Sequence, residues 1–137
     1  MAGMGAYLTQ KVLNVTLQQA ASLASPATLG VGLCVGAPTS LSASEVGTAS
    51  GYTPQSLTMG SVAASGTVAS NVNSLSYGPF SSTQAISGVV VKDTLSASVS
   101  AGNLGDIFYF GNLATARTVS PGDSLIIAAA ALTISLS

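Results

Sequence analysis

The stretch Leu29-Gly30-Val31-Gly32-Leu33-Cys34-Val35-Gly36 decides the fold. Large apolar side chains recur at every second position, and glycine or cysteine fills the positions between. A period of two belongs to a β-strand, whose successive side chains point to opposite faces. One face of this strand is therefore fully furnished and the other nearly bare. A bare face lets a second backbone or sheet approach closely. Pro38-Thr39-Ser40 ends the strand, and a loop rich in Ser, Ala and Gly follows.

The same period continues toward the C-terminus. Residues 55–59 alternate through Leu57 and Met59, and 67–72 and 75–77 form two further segments before Gly78-Pro79. Residues 86–92 hold Val89-Val90-Val91, a β-branched run that favours a strand. Residues 106–111 carry Ile107-Phe108-Tyr109-Phe110, and 115–119 and 124–128 flank Ser120-Pro121-Gly122-Asp123. Proline and glycine in that order predict a type II turn. Leu132, Ile134 and Leu136 alternate with Thr133, Ser135 and Ser137 in a last strand. Short strands at this spacing, with turn signals between them, predict an all-β sandwich or barrel.

Upstream the period changes. In residues 6–21, Leu8, Val12 and Val15 fall at i, i+4 and i+7, while Leu13, Leu17 and Ala20 form an adjoining stripe. This predicts a helix, which stops before Pro26 because proline disfavours helical geometry at the preceding residue. The chain thus divides into an N-terminal helical segment, 1–25, and a β domain, 26–137. No internal repeat appears, and the Ser/Ala/Gly bias runs through the whole chain without marking a boundary.

Composition narrows the function. Of 137 residues only 5% are charged: Lys11, Lys92 and Arg117 against Glu45, Asp93, Asp106 and Asp123. An ordinary domain carries about 25%. Three cations cannot neutralise a run of phosphates, so nucleic acid is not an expected partner. No membrane span is expected either. The mean hydropathy is +0.59, but Asn14, Gln18, Gln19, glycines and prolines interrupt the charge-free stretch 12–44. The same polar residues break a would-be secretory signal.

No enzyme activity is expected. The chain has no His to serve as general base, and no G-x-S-x-G elbow holds a serine. Lys11 and Lys92 sit in no Ser-Lys motif, and Lys92-Asp93 reads as a strand-end charge pair. Asp106 and Asp123 lie beside turn glycines, where Asp is common. No cofactor or metal is expected: the four acids are scattered, and Cys34 alone forms neither a disulfide nor a zinc cluster. Cys34 reads as a small residue packed under another layer. Tyr52, Tyr77, Phe80, Phe108, Tyr109 and Phe110 could in part line a sugar-binding face, but in a chain without Trp they read as core. What remains is a surface for packing. Ser, Thr, Ala and Gly lose little rotamer entropy when covered, and charges are depleted at interface cores.

The order of segments carries a resemblance. Tyr7-Leu8-Thr9-Gln10-Lys11-Val12-Leu13 precedes Pro26-Ala27-Thr28-Leu29-Gly30-Val31-Gly32-Leu33. Gly51-Tyr52-Thr53-Pro54-Gln55 follows the acidic Glu45-Val46, and the run from Leu113 through Arg117-Thr118-Val119 to Gly122-Asp123 closes the pattern. This resembles a family of small tailed-bacteriophage virion proteins, many described as tail-fibre proteins and some similar to head decoration (cement) proteins. The chain departs from many members in its middle, where Tyr77-Gly78-Pro79-Phe80 replaces a longer polar segment with a tryptophan. The resemblance implies a β-sandwich with jelly-roll-like topology, about eight short strands and one N-terminal helix. It implies a structural protein of the virion, made in the host cytoplasm. The expected role is a cement protein: a homotrimer on the outer capsid that binds the major capsid protein and stabilises contacts between its subunits. Small size and the missing fibre-like repeat favour that role. A tail or tail-fibre component is the alternative, and a carbohydrate-binding module a more distant one. A closed sandwich needs at most one stripe of the helix, so Leu13 and Leu17 are the expected partner-binding residues.

Overall fold

The computed structural model describes residues 3–17, 28–62, 66–95 and 107–135. Its elements are β1 (Gly3–Met4), α1 (Ala6–Leu17), β2 (Leu29–Cys34), a short 3-10 turn (Thr48–Ser50), β3 (Gln55–Leu57), β4 (Val68–Ser70), β5 (Leu75–Tyr77), β6 (Gln84–Lys92), β7 (Ile107–Val119), β8 (Leu125–Ile127) and β9 (Thr133–Ser135). The fold is all-β with a single helix among the described residues. Every pairing is antiparallel: a five-stranded sheet in the order β1-β7-β6-β2-β3, and the two-stranded ladders β4-β9 and β5-β8. A jelly-roll topology goes beyond what these pairings establish.

One face of the five-stranded sheet carries the core. Val31 and Leu33 of β2 lie opposite Val91 and Val89 of β6, and directly opposed residues share a face. Val31, Leu33 and Val91 pack with Tyr52, Leu75, Tyr77, Phe80 and Val119 in one buried cluster. Leu125 and Ile127 of β8, with Leu132 and Ile134 around β9, lie against it, so the two ladders form the second layer. Burial of each such aliphatic side chain contributes on the order of 1.5–3 kcal/mol.

Strand β3 pairs with β2 only as far as Val31. Beyond it the open edge of β2 is satisfied by the 44–46 backbone, whose Val46 N–H donates to the Leu33 carbonyl at 2.9 Å, and by tyrosine hydroxyls, as buried backbone groups require. The Leu33 N–H donates to Tyr52 Oη at 2.8 Å, and Tyr77 Oη donates to the Val31 carbonyl at 3.2 Å. The two rings stack with centroids 6.0 Å apart. Asn71, also buried, holds the second layer together. Its Nδ2 donates to the carbonyls of Asn73 and Ala128 at 2.7 and 2.9 Å, and its Oδ1 accepts from the Leu132 N–H at 2.8 Å.

Several expectations meet the structure directly. The type II turn at 120–123 is present: Gly122 has φ 91°, and the Asp123 N–H donates to the Ser120 carbonyl at 3.0 Å. The two strands expected at 106–111 and 115–119 are one 13-residue strand, β7. Opposite β6 the register jumps: Ile86 faces Arg117 while Gly88 faces Asn112. Residues 113–116 are therefore taken up in a bulge, which bends a strand without ending it. Strand β1 was not anticipated. Gly3 and Met4 have no alternation to read, and they pair because β7 offers an open edge to Phe110 and Tyr109. Residues 18–21 of the expected helix, Ala20 of its second stripe, Asp106 and Leu136 lie outside the described residues.

The bare face of β2 is not bare. Gly30, Gly32 and Cys34 are buried. A Cβ at Gly30 would lie 2.4 Å from the Thr94 carbonyl oxygen, and one at Gly32 would lie 2.5 Å from Glu45 Oε2. The expected close approach is therefore real, and in part it is made by a carboxylate.

Candidate functional site

Two regions stand out. The first lies on the glycine face of β2. Glu45 bridges Cys34, and Lys92 pairs with Gly30, so both side chains emerge on the same face as Gly32. Without a Cβ there, the space over Gly32 admits the Glu45 carboxyl group. Lys92 Nζ contacts Glu45 Oε1, with the two side chains 0% and 3% exposed. Tyr52 Oη donates to Glu45 Oε2 at 3.0 Å while accepting from the Leu33 N–H. Burial, with the Glu45 carboxylate beside it, pushes the Tyr52 hydroxyl upward, and Tyr77 is raised by the same two causes. Burial likewise pushes the Cys34 thiol up to about 12, Glu45 adding to the shift and Lys92 opposing it. The thiol is free and buried, which fits its reading as a packed small residue.

Lys92 was expected to form a strand-end charge pair with Asp93. It stands at the end of β6, and its ammonium reaches inward to Glu45. Sequence reasoning missed this cluster, because nothing local links residues 45 and 92. Its one trace was the glycine alternation, which signalled space without saying what fills it.

The second region is the outer surface of α1. Gly5 starts the helix against β7: its N–H donates to the Phe108 carbonyl at 2.6 Å, and a Cβ would lie 1.9 Å from the Ile107 oxygen. Only glycine permits that approach. Tyr7 stacks on Phe108 at 5.7 Å, with Lys11 Nζ 5.5 Å from the Tyr7 centroid. Leu8 is buried and Val12 and Val15 are half-buried, so the 8/12/15 stripe faces the sheet. Leu13 and Leu17 are 48% and 75% exposed. Leu13 borders a shallow groove with Met4, Ala6, Thr9, Gln10 and Ser40. Val62, Val68, Val72 and Ile126 are exposed too, and they lie outside both helical stripes. Val68 and Val72 follow from the alternation in 67–72 once Asn71 is placed inside.

The remaining candidates are dispersed. Tyr52, Tyr77 and Phe80 are buried and present no face to a sugar, while Phe108, Tyr109 and Phe110 are half-buried. Asp123 caps its own turn, its Oδ2 accepting from the Ser120 N–H at 2.9 Å. Among the described residues no group of three or more Cys, Asp or Glu could hold a metal ion, and no helix is long and apolar enough to cross a membrane.

A β domain that encloses one charged pair and leaves leucines and valines outside has surfaces suited to packing against other chains. Residues 3–135 match the sequence profile of the family described as Podophage GP4 fiber I protein gp80. The chain belongs to this family, and it is a phage structural protein associated with the virion. No curated protein matches it.

Proposed function

We propose that this chain is a virion subunit that self-associates as a homotrimer and packs on a neighbouring copy or on a second virion protein through Leu13 and Leu17. One observation carries the reading. Two leucines one helical turn apart stand exposed, on a helix whose other stripe already faces the sheet. Leu13 and Leu17 are 48% and 75% exposed, so covering what remains of both contributes about 2–4 kcal/mol from apolar burial, before the cost of association. Glu45 and Lys92 are withdrawn from the surface, so few charges remain to be desolvated or to repel a copy.

Two placements on the particle fit this docking mode. In one, trimers sit on the outer capsid as a cement protein and clamp neighbouring major capsid subunits; the absence of a fibre-like repeat favours it. In the other, the chain is a tail-fibre component, favoured by the family description, which names a fibre. Densitometry of purified virions separates them: copies on the order of hundreds mean the capsid, and a few dozen or fewer mean the tail. Light scattering of the isolated protein tests the shared core of the proposal. A monomer that persists on concentration would end it.

A further inference from the structure

The buried cluster on the glycine face has the parts of a condensation site. We propose that Glu45 and Lys92 join in an intramolecular isopeptide bond, with Tyr52 as the catalytic hydrogen-bond donor. The inference does not depend on where the subunit sits in the virion.

The reacting groups are already in contact, Nζ against Oε1, and both side chains are withdrawn from solvent. Holding an amine and a carboxyl group together in this way replaces a bimolecular encounter with an intramolecular step. Charges are costly to bury even when paired. Moving one proton from Nζ to Oε1 removes both of them and leaves an amine facing a carboxylic acid. The Nζ lone pair then attacks Cδ, and negative charge develops on Oε2. The donor for that charge is in place: Tyr52 Oη lies 3.0 Å from Oε2. A preorganised donor at a developing oxyanion in a dry site is a large catalytic term. The Leu33 N–H, 2.8 Å from Tyr52 Oη, fixes the hydroxyl oxygen. Burial keeps that hydroxyl protonated.

The balance closes without a co-reactant. The Nζ–Cδ bond forms and the Cδ–Oε1 bond breaks. Oε1 leaves as water, carrying the proton it received first and a second one released by Nζ. Nothing is oxidised or reduced. Oε2 becomes the amide oxygen and keeps its hydrogen bond from Tyr52. Gly32 belongs to the same site, since a Cβ there would lie 2.5 Å from Oε2 and 2.8 Å from Cδ. The product ties the end of β6 to the segment that bridges Cys34.

Intact and peptide mass spectrometry of the denatured full chain tests this. Trypsin has three sites, at Lys11, Lys92 and Arg117. An acylated Lys92 is not cleaved, so the expected product is a single 12–117 peptide lighter by one water, with fragmentation placing the link between Glu45 and Lys92. Separate 12–92 and 93–117 peptides of full mass would overturn the proposal, and this readout needs no variant. Glu45→Gln keeps the shape and should lose ammonia in place of water; loss of water from that variant would place the bond elsewhere and refute the assignment. Tyr52→Phe should slow bond formation in freshly synthesised protein by tenfold or more, given that removing one oxyanion donor costs about 10²–10³ in rate. A folded Tyr52→Phe protein that bonds as fast as the wild type would remove Tyr52 from the mechanism.

Discussion

The glycine face of β2 and the outer face of α1 invert the usual arrangement. On the first, a lysine and a glutamate are fully enclosed; on the second, two leucines face outward. The interior tolerates the charged pair because its polar atoms meet partners: among the described residues no buried side-chain nitrogen or oxygen lacks a hydrogen bond. The helix meets the sheet through Gly5, Tyr7 and its 8/12/15 stripe, which leaves Leu13 and Leu17 outward. One region is complete within the chain, and the other is the face that the proposed function assigns to a partner. Substitutions in the first should therefore change stability, and substitutions in the second should change association.

The largest expected effect is Lys92→Met. Removing the amine leaves the buried Glu45 carboxyl group without its partner, whether the pair is ionic or amide-linked, and loss of about 3–5 kcal/mol is expected. Denaturant unfolding measures it; a midpoint equal to the wild type would mean the enclosed region is not the more demanding of the two. Leu8→Ala comes next, at about 2–5 kcal/mol, because Leu8 is 7% exposed and its removal leaves a cavity against the sheet. That variant separates the two stripes within one helix. Tyr52→Phe removes the donor to Glu45 and leaves the Leu33 N–H unpaired, for about 1–3 kcal/mol.

Alkaline pH probes the enclosed region without mutation. Burial raises the Cys34 thiol from 9.0 to about 12, and the Tyr52 and Tyr77 hydroxyls are raised in the same direction. The unfolded chain releases these protons first, so the folded state holds more of them over that range. Stability should be fully present below pH 9.0 and decline as pH rises toward about 12. A series of thermal midpoints that stays flat or climbs across this window would contradict the burial. The smallest stability effect belongs to the double variant Leu13→Ser/Leu17→Ser, within about 0.5 kcal/mol as for other exposed positions. Its expected consequence is loss of trimerisation or of binding to stripped particles. Unchanged association by light scattering and by a pelleting assay would show that the outer stripe has no partner.

Legibility in the sequence followed the range of the interaction. Strand β2 was readable because alternation is written into consecutive residues, and the 120–123 turn because proline and glycine set its dihedrals locally. The helix and the division of its stripes were readable from spacing alone. Strand β1 was not, since it exists only because β7 leaves an edge open. The fusion of two expected strands into β7 was hidden for a similar reason: the bulge at 113–116 is defined by register against β6. Of the candidate site, Leu13 and Leu17 were visible as a stripe with nothing to cover them. The Glu45–Lys92–Tyr52 cluster was invisible, because its members come from three separate segments.

By itself, then, the sequence determined an all-β chain with one helix, poor in charge, because periodicity, turn chemistry and composition act over a few residues at a time. Tertiary structure decided what occupies the space above Gly32 and which leucines stay outside. Both depend on strands distant in sequence meeting in register, and a carboxylate can be enclosed only where that meeting brings it an amine and a hydroxyl.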